Sequence, residues 1–340
     1  MPSLIIVGLL AAVFSILGFL TWLVLRLFGI RRGRQISKIA LLTWLVSIPL
    51  FIFLAAPTLI SSLLFNSGTR PMDLDLDKTP QSYQRPYQDV RFPSRDGIDL
   101  SGWFLDGSPD RPAIILSHGL FRNRHEMLQR ACDLNRQGYP VLLFDFRAHG
   151  SRQGRSGPSG VSLGFQERLD VQGAVDYLRS QRSNPEVVLL GVSMGAVACI
   201  LAAPQIEPPV LAIIADSPFQ NLHETVSRHV RMFLNLPSFP FANVFCWNLA
   251  RLSGFEADQH DSIAALQKIP QVPVLLIYGR DDPRMPEETA QAVYRGVSGA
   301  QKDLVFFEDA GHGGAYEEHP ERFIQTVLNF LNPPSDPGLD

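Results

Sequence analysis

The chain has 340 residues, of which 46% are hydrophobic and 19% charged, with a formal net charge of −3 at pH 7. This length accommodates one large domain or two ordinary ones, and the small net charge argues against a nucleic-acid partner. The three widely spaced cysteines, Cys132, Cys199 and Cys246, form neither a disulfide framework nor a metal-binding pattern.

The first 72 residues contain no Asp or Glu and include two long apolar runs. The runs cover residues 3–25 and 39–60, and at about 1.5 Å per residue each can cross about 30 Å of hydrocarbon. Pro49 and Pro57 are expected to kink the second helix or to end it early, which membrane helices tolerate. We therefore predict a membrane anchor in residues 1–65 with two transmembrane helices. The alternative is one span with a re-entrant or cleaved segment.

The loop between the two runs is strongly basic and has no acidic residue. Its positive charges are Arg26, Arg31, Arg32, Arg34 and Lys38. Short basic loops stay on the cytoplasmic side of a membrane. We therefore expect a multi-pass membrane protein whose domain after residue 65 is extracytoplasmic. Residues 66–86 are polar and contain prolines, which is typical of a linker between membrane and domain.

From Tyr87 onward, apolar strands alternate with amphipathic helices, after two initial strands joined by a turn at Asp96-Gly97. The later elements are, in chain order, "PAIILSHG", "RHEMLQRACDLNRQG", "PVLLFDF", "FQERLDVQGAVDYLRSQR", "EVVLLG", "VLAIIADSP", "VPVLLIYG", "KDLVFFED" and "PERFIQTVLNFL". This alternation predicts an α/β fold with a mostly parallel sheet covered on both faces. Ligands of such sheets bind at the carboxyl ends of the strands, where every motif below falls.

Ser193 is the candidate nucleophile. It lies in a G-x-S-x-G pattern with Gly191 and Gly195, after the strand "VVLLG" and before the helix "MGAVACILAA". A strand, a sharp turn and a helix are the context of a nucleophile elbow, and the glycines leave room for close packing. The alternative is a serine with only a structural role in a tight turn.

A serine hydroxyl needs a base, and the base needs an acid that orients it. His312 follows the last predicted strand, and Asp281 and Asp282 follow the strand before it. The residues alone leave the choice between the two aspartates open. Two backbone N–H groups should bind the oxyanion, and we expect them at Met194 and at Leu120.

The other polar residues favour structural roles. The remaining histidines are scattered, and "HETVSRH" does not have the H-E-x-x-H spacing, so we predict no metal and no cofactor. Asn123 is expected to cap a helix, and Asp145 and Arg147 to be structural. Arg122 and Arg124 are either solvated or available to a phosphate or carboxylate.

Residues 87–332 resemble the α/β-hydrolase superfamily. The resemblance is carried by "SHGLFRNR", "DFRAHGSRQGRSG", "GVSMGA", "ADSPF", "YGRDDPRMP" and "DAGHG". It implies a Ser193, Asp282, His312 triad, because the family's acid follows the glycine of its motif by three positions. Within the superfamily the chain is similar to membrane-tethered serine hydrolases with a short cap, which cleave lysophospholipids, monoacylglycerols, thioesters or small esters. Some related branches are peptidases. Ala148 departs from the family pattern, which usually has glycine there.

The segment 219–266 lies between two core strands and is the expected cap, and residues 333–340 are the expected C-terminal tail. The cap is rich in apolar side chains, which either pack onto the core or form an acyl pocket or a surface that dips into the bilayer. The predicted function is hydrolysis of a lipid-like acyl ester or thioester through an acyl-enzyme. The alternatives are a serine peptidase of the same fold and a non-catalytic protein that binds a lipid or a partner. No oligomeric state is predicted.

Overall fold

The computed structural model describes residues 18–27, 33–152, 154–157, 160–184, 186–299 and 301–332. Three predicted features fall wholly or partly outside these residues. They are positions 3–17 of the first apolar run, positions 28–32 of the basic loop, and the tail 333–340.

The N-terminal region is helical wherever it is described. Helix α1 covers Gly18–Leu27, and α2 (Gly33–Leu50), a π-helical turn (Phe51–Ala55) and α3 (Ala56–Phe65) follow one another directly. Neither proline ends the helix, which leaves a kink as the alternative that we expected, and a π-helical turn lies between them. The ring of Pro57 would clash with the carbonyl four residues earlier in a regular α-helix, and that carbonyl belongs to the π-helical turn.

Leu41–Phe65 is the one helix among the described residues that is long and apolar enough to cross a membrane. Only 11% of its most apolar window is buried, which is unlike a helix in a protein core. It ends five residues beyond the predicted boundary at Ile60. Helix α1 is apolar but shorter.

The domain is built on one eight-stranded sheet with the order β1-β2-β4-β3-β7-β8-β9-β10. β1 and β2 form the predicted hairpin, β2 pairs antiparallel with β4, and all other pairs are parallel. The strands are β1 Gln88–Pro93, β2 Asp99–Leu105, β3 Ala113–Ser117, β4 Val141–Phe144, β7 Val187–Val192, β8 Ala212–Asp216, β9 Val274–Gly279 and β10 Lys302–Phe307; a separate small ribbon pairs β5 Gly150–Ser151 with β6 Gly154–Arg155.

Helices cover both faces of the sheet, and a buried apolar cluster fills each interface. On one face lie α5 (Glu167–Gln181), α6 (Met194–Ala202), α9 (Ser262–Leu266) and α10 (Glu287–Gly296). On the other face lie α4 (Leu128–Arg136), α11 (Ala315–Glu318) and α12 (Pro320–Leu331). The segment predicted as the cap contains α7 (Leu222–His229), a π-helical turn (Val230–Leu234), α8 (Phe241–Ser253) and α9.

Residues 66–86 are more closely attached to the domain than a plain linker. They contain two 3₁₀ turns, Pro71–Asp73 and Pro80–Tyr83. Leu76 and Tyr83 pack against the cluster beneath α4 and α12. The carbonyl of Leu74 also accepts a hydrogen bond from Arg152 N. Polar composition had suggested a linker, but two apolar side chains, Leu76 and Tyr83, anchor the segment to the domain.

Candidate active site

Ser193 lies at a sharp turn between β7 and α6. Its backbone angles are φ 53° and ψ −115°, a strained conformation for a residue with a side chain. Its N–H donates to the carbonyl of Asp216 at the end of β8 (2.8 Å). A Cβ at Gly191 would overlap the backbone of Gly195, and a Cβ at Gly195 would lie 2.6 Å from the carbonyl oxygen of His118. Both glycines are therefore required by close packing between β7, α6 and the loop after β3.

Three side chains from three different loops meet in a hydrogen-bonded line. His312 Nε2 lies 2.8 Å from Ser193 Oγ, and His312 Nδ1 lies 2.7 Å from Asp282 Oδ2. Because a carboxylate can only accept, it selects the tautomer with the proton on Nδ1 and leaves Nε2 free to accept. The predicted Ser193, Asp282 and His312 thus have the geometry of a nucleophile, a base and an orienting acid.

The structure distinguishes the two neighbouring aspartates by their surroundings. Asp281 is exposed, whereas the side chain of Asp282 is fully buried. Burial alone would raise the pKa of the Asp282 carboxyl, but the hydrogen bond and charge of His312 and the N–H groups of Met285 and Arg284 outweigh it. The pKa of Asp282 therefore lies below its ordinary value, and this carboxylate stays charged beside the imidazole.

The two predicted oxyanion donors line the same cavity as Ser193. Leu120 lies on the loop after β3, and Met194 is the first residue of α6, where the helix N-terminus contributes partial positive charge. Neither N–H donates a hydrogen bond within the described part of the chain. The loop is held by Glu126, which accepts from Gly119 N (2.6 Å). No sequence pattern had singled out Glu126.

A buried pair after β8 supports the loop of His312. Ser217 Oγ donates to Asp216 Oδ1 (2.9 Å) and accepts from the N–H of Gly313 (3.1 Å). Asp216 is fully buried, and burial raises the pKa of its carboxyl to about 6. The motif "ADSPF" had contributed to the resemblance, but nothing in it had assigned a role to either residue.

The polar residues outside the proposed triad make contacts within the domain. Asn123 caps a short 3₁₀ helix by accepting from His125 N, as expected. Arg147 is buried against Asp170 and Asp96, also as expected. The interpretation of Arg124 was wrong: it is buried, its N–H donates to Asp145 (2.7 Å), and its guanidinium stacks on Trp103.

Two further expectations concern Ala148 and metals. Ala148 has a positive φ of 63°, the conformation that glycine adopts most easily. Among the described residues, no three His, Cys, Asp or Glu side chains group as a metal site.

A cavity of about 820 Å³ opens over Ser193 and His312. Its walls are mostly apolar, and the cap supplies part of them, including Phe233, Phe241 and Phe245. Ile60 and Leu64 of α3 also line it, although they precede the domain in sequence. A cavity of this size with mostly apolar walls is typical of a small-molecule binding site.

A mostly parallel eight-stranded sheet, with a strained serine after one strand and its partners after two others, defines an α/β hydrolase. A family model described as the Alpha/beta hydrolase family matches residues 114–326. The chain therefore belongs to the alpha/beta hydrolase family, and the predicted fold is confirmed.

Proteins similar to this chain include both bacterial and vertebrate relatives. The uncharacterized protein YqkD of Bacillus subtilis is 29% identical over 246 residues, which are 72% of this chain and 79% of that protein. The lysophosphatidylserine lipase ABHD12 of Xenopus tropicalis is 23% identical over 338 residues, covering 90% and 84%. Among solved structures, the Pyrococcus furiosus esterase Pf2001 is 29% identical with a TM-score of 0.62, over 77% of this chain and 97% of that one.

Proposed function

We propose that this chain is a membrane-anchored serine hydrolase that cleaves a lipid-like acyl ester or thioester. The observation that carries the proposal is the line of hydrogen bonds from Ser193 through His312 to Asp282. Ser193 and His312 line a mostly apolar cavity. The resemblance to an esterase and to a lysophosphatidylserine lipase supports the same reaction class.

In the proposed mechanism, Ser193 Oγ attacks the acyl carbonyl while His312 Nε2 takes the hydroxyl proton. Asp282 holds the imidazole in place and stabilises its positive charge. The N–H groups of Met194 and Leu120 bind the oxyanion of the tetrahedral intermediate. His312 then gives its proton to the leaving alcohol or thiol, which leaves an acyl group on Ser193. Water attacks this acyl-enzyme by the same steps and releases a carboxylic acid.

The proposed anchor comprises residues 1–65 and two transmembrane helices, 3–25 and 39–60, joined by the cytoplasmic basic loop. The helix Leu41–Phe65 supports the second span. The proposed domain is 87–332 with its cap at 219–266, after the segment 66–86. The proposed side of the domain is extracytoplasmic, because five positive charges lie between the spans.

The activity is tested by turnover of the full chain in detergent on acyl esters, acyl thioesters and short peptide amides, with Ser193→Ala as control. We expect ester or thioester turnover that falls by about 10³-fold or more in the variant. Faster cleavage of the peptides would favour the peptidase. No turnover of any substrate, together with stoichiometric lipid binding, would favour the non-catalytic alternative.

The topology is tested with a protease-cleavable tag after Asp340 and a matched tag in the basic loop. We expect the first tag to be cut in intact cells and the second to be protected. The reverse pattern would contradict the proposed orientation.

A further inference from the structure

Two apolar side chains of α3 belong to the wall of the candidate active site. Ile60 and Leu64 line the same cavity as Ser193 and His312. They are four residues apart and so lie on one face of the helix. Leu64 also packs against the core cluster of the domain. A helix with the composition of a membrane span thus supplies part of a substrate cavity.

The orientation of α3 relative to the domain is fixed by a second face of the helix, which contacts the cap. Pro57 and Ser61 are buried on that face. Asn248 of the cap helix α8 donates to Ser61 Oγ (2.9 Å), Ser62 Oγ (3.0 Å) and the carbonyl of Thr58 (3.1 Å). One amide group therefore holds the helix against the cap.

The end of α3 is also tied to the domain. The carbonyl of Phe65 accepts from the N–H groups of Gly160 and Val161 (3.0 and 3.1 Å). Thr69 Oγ1 donates to the carbonyl of Arg122 (2.8 Å), and Arg70 N donates to the carbonyl of Phe121 (2.9 Å). The helix end and the loop of Leu120 therefore form one hydrogen-bonded unit.

The third face of α3 points away from the protein, where Leu59 and Leu63 are exposed. The helix Leu41–Phe65 has 25 residues and is about 37 Å long, whereas about 20 residues cross the hydrocarbon. With residues 39–60 as the proposed second span, its cavity-lining turns fall at the membrane surface. Phe233 and Leu234 of the cap also line the cavity and are exposed, so its rim is apolar there.

We infer that Ile60 and Leu64 are specificity-determining residues that form the wall along which a long acyl chain lies. The acyl chain of an amphiphilic substrate lies along α3 between the bilayer and Ser193, with its ester carbonyl at Ser193. This inference rests on the proposed ester hydrolysis and names the feature of the substrate that the helix selects, namely a long acyl chain.

The test uses full-length variants in detergent micelles and compares kcat/KM for p-nitrophenyl palmitate with that for p-nitrophenyl butyrate. Leu64→Trp and Ile60→Trp fill space that the long chain needs. We expect the palmitate-to-butyrate ratio to fall about tenfold in each, equivalent to about 1.4 kcal/mol or roughly two buried methylene groups. Ile60 is 42% exposed, so the protein is expected to tolerate a larger side chain there. Ile60→Trp therefore provides the test even if Leu64→Trp does not fold.

Leu63→Trp is the matched control, because Leu63 is the adjacent residue and is 62% exposed on the outward face. Its ratio should stay within about twofold of wild type. Wild-type ratios in both cavity variants, or an equal fall in Leu63→Trp, would overturn the inference and leave ester hydrolysis intact. A wild-type protein that cleaves neither ester would instead overturn the proposed function, and this inference with it.

Discussion

Replacing Asp282 by asparagine would invert the hydrogen bonding of the proposed base without changing the size of the side chain. Asp282 Oδ1 accepts from the N–H groups of Arg284 (2.8 Å) and Met285 (3.1 Å), and Oδ2 faces His312 Nδ1 at 2.7 Å. In the variant the amide oxygen is expected to keep the two backbone donors. The amide NH₂ then faces Nδ1, and two donors cannot share that contact.

The imidazole would respond by moving its proton from Nδ1 to Nε2. Nε2–H then points at Ser193 Oγ and cannot take the serine proton. A wrong tautomer of this kind costs about 10⁴-fold in kcat in a Ser-His-Asp enzyme, which corresponds to about 5 kcal/mol of barrier. We expect a loss of this order for Asp282→Asn.

The assay is kcat for a p-nitrophenyl ester, with Asp281→Asn as the matched control. Asp281 is the adjacent carboxylate and is exposed, so its variant should stay within about twofold of wild type. Loss of activity in Asp281→Asn with less than a tenfold effect of Asp282→Asn would refute the assignment of the acid.

Acid stability gives a second readout for the same variant. The folded-state pKa of Asp282 is lowered, so its charge stabilises the fold above its unfolded pKa of about 4, and that stabilisation is lost as the pH falls further. The difference in melting temperature between wild type and Asp282→Asn should therefore shrink below about pH 4. A constant difference would contradict this reasoning.

Two further predictions concern the support of the site. Gly195→Ala should abolish activity and lower the melting temperature, because its Cβ would lie 2.6 Å from the carbonyl oxygen of His118; an active variant of unchanged stability would contradict the close packing of the elbow. Asp216→Asn should flatten the pH dependence of stability between about pH 4 and 6. The folded pKa of Asp216 is raised to about 6, so its neutral carboxyl favours the folded state at low pH. The free energy of unfolding therefore falls by up to about 3 kcal/mol as the pH rises through that window. Chemical denaturation at about pH 4 and about pH 6 measures how the free energy of unfolding changes with pH. An equal change in wild type and in Asp216→Asn would contradict this prediction.

The sequence predicted the parallel sheet and its strand ends because both depend on local signals. Short apolar runs mark buried strands, and polar residues after them fall at one edge of the sheet. Ser193, Asp282 and His312 each follow such a run. The structure brings their side chains together, while their catalytic roles remain predictions.

Contacts between residues that lie far apart in the sequence could not be predicted from such local signals. Composition marks residues 39–60 as apolar, but the docking of α3 depends on Asn248, almost two hundred residues later. The hydrogen bonds of Thr69 and Arg70 to the loop of Leu120 likewise join segments about fifty residues apart. Arg124 was misjudged for the same reason, because its partners Asp145 and Trp103 come from other elements.

The central claim, that Ser193 is a nucleophile activated by His312, is tested most directly by covalent labelling. A fluorophosphonate probe should add one adduct to the full-length protein, and peptide mapping by mass spectrometry should place it on Ser193. His312→Ala should label much more slowly, and Ser193→Ala should not label at that site. Equal labelling of wild type and Ser193→Ala, or an adduct on another residue, would contradict the account.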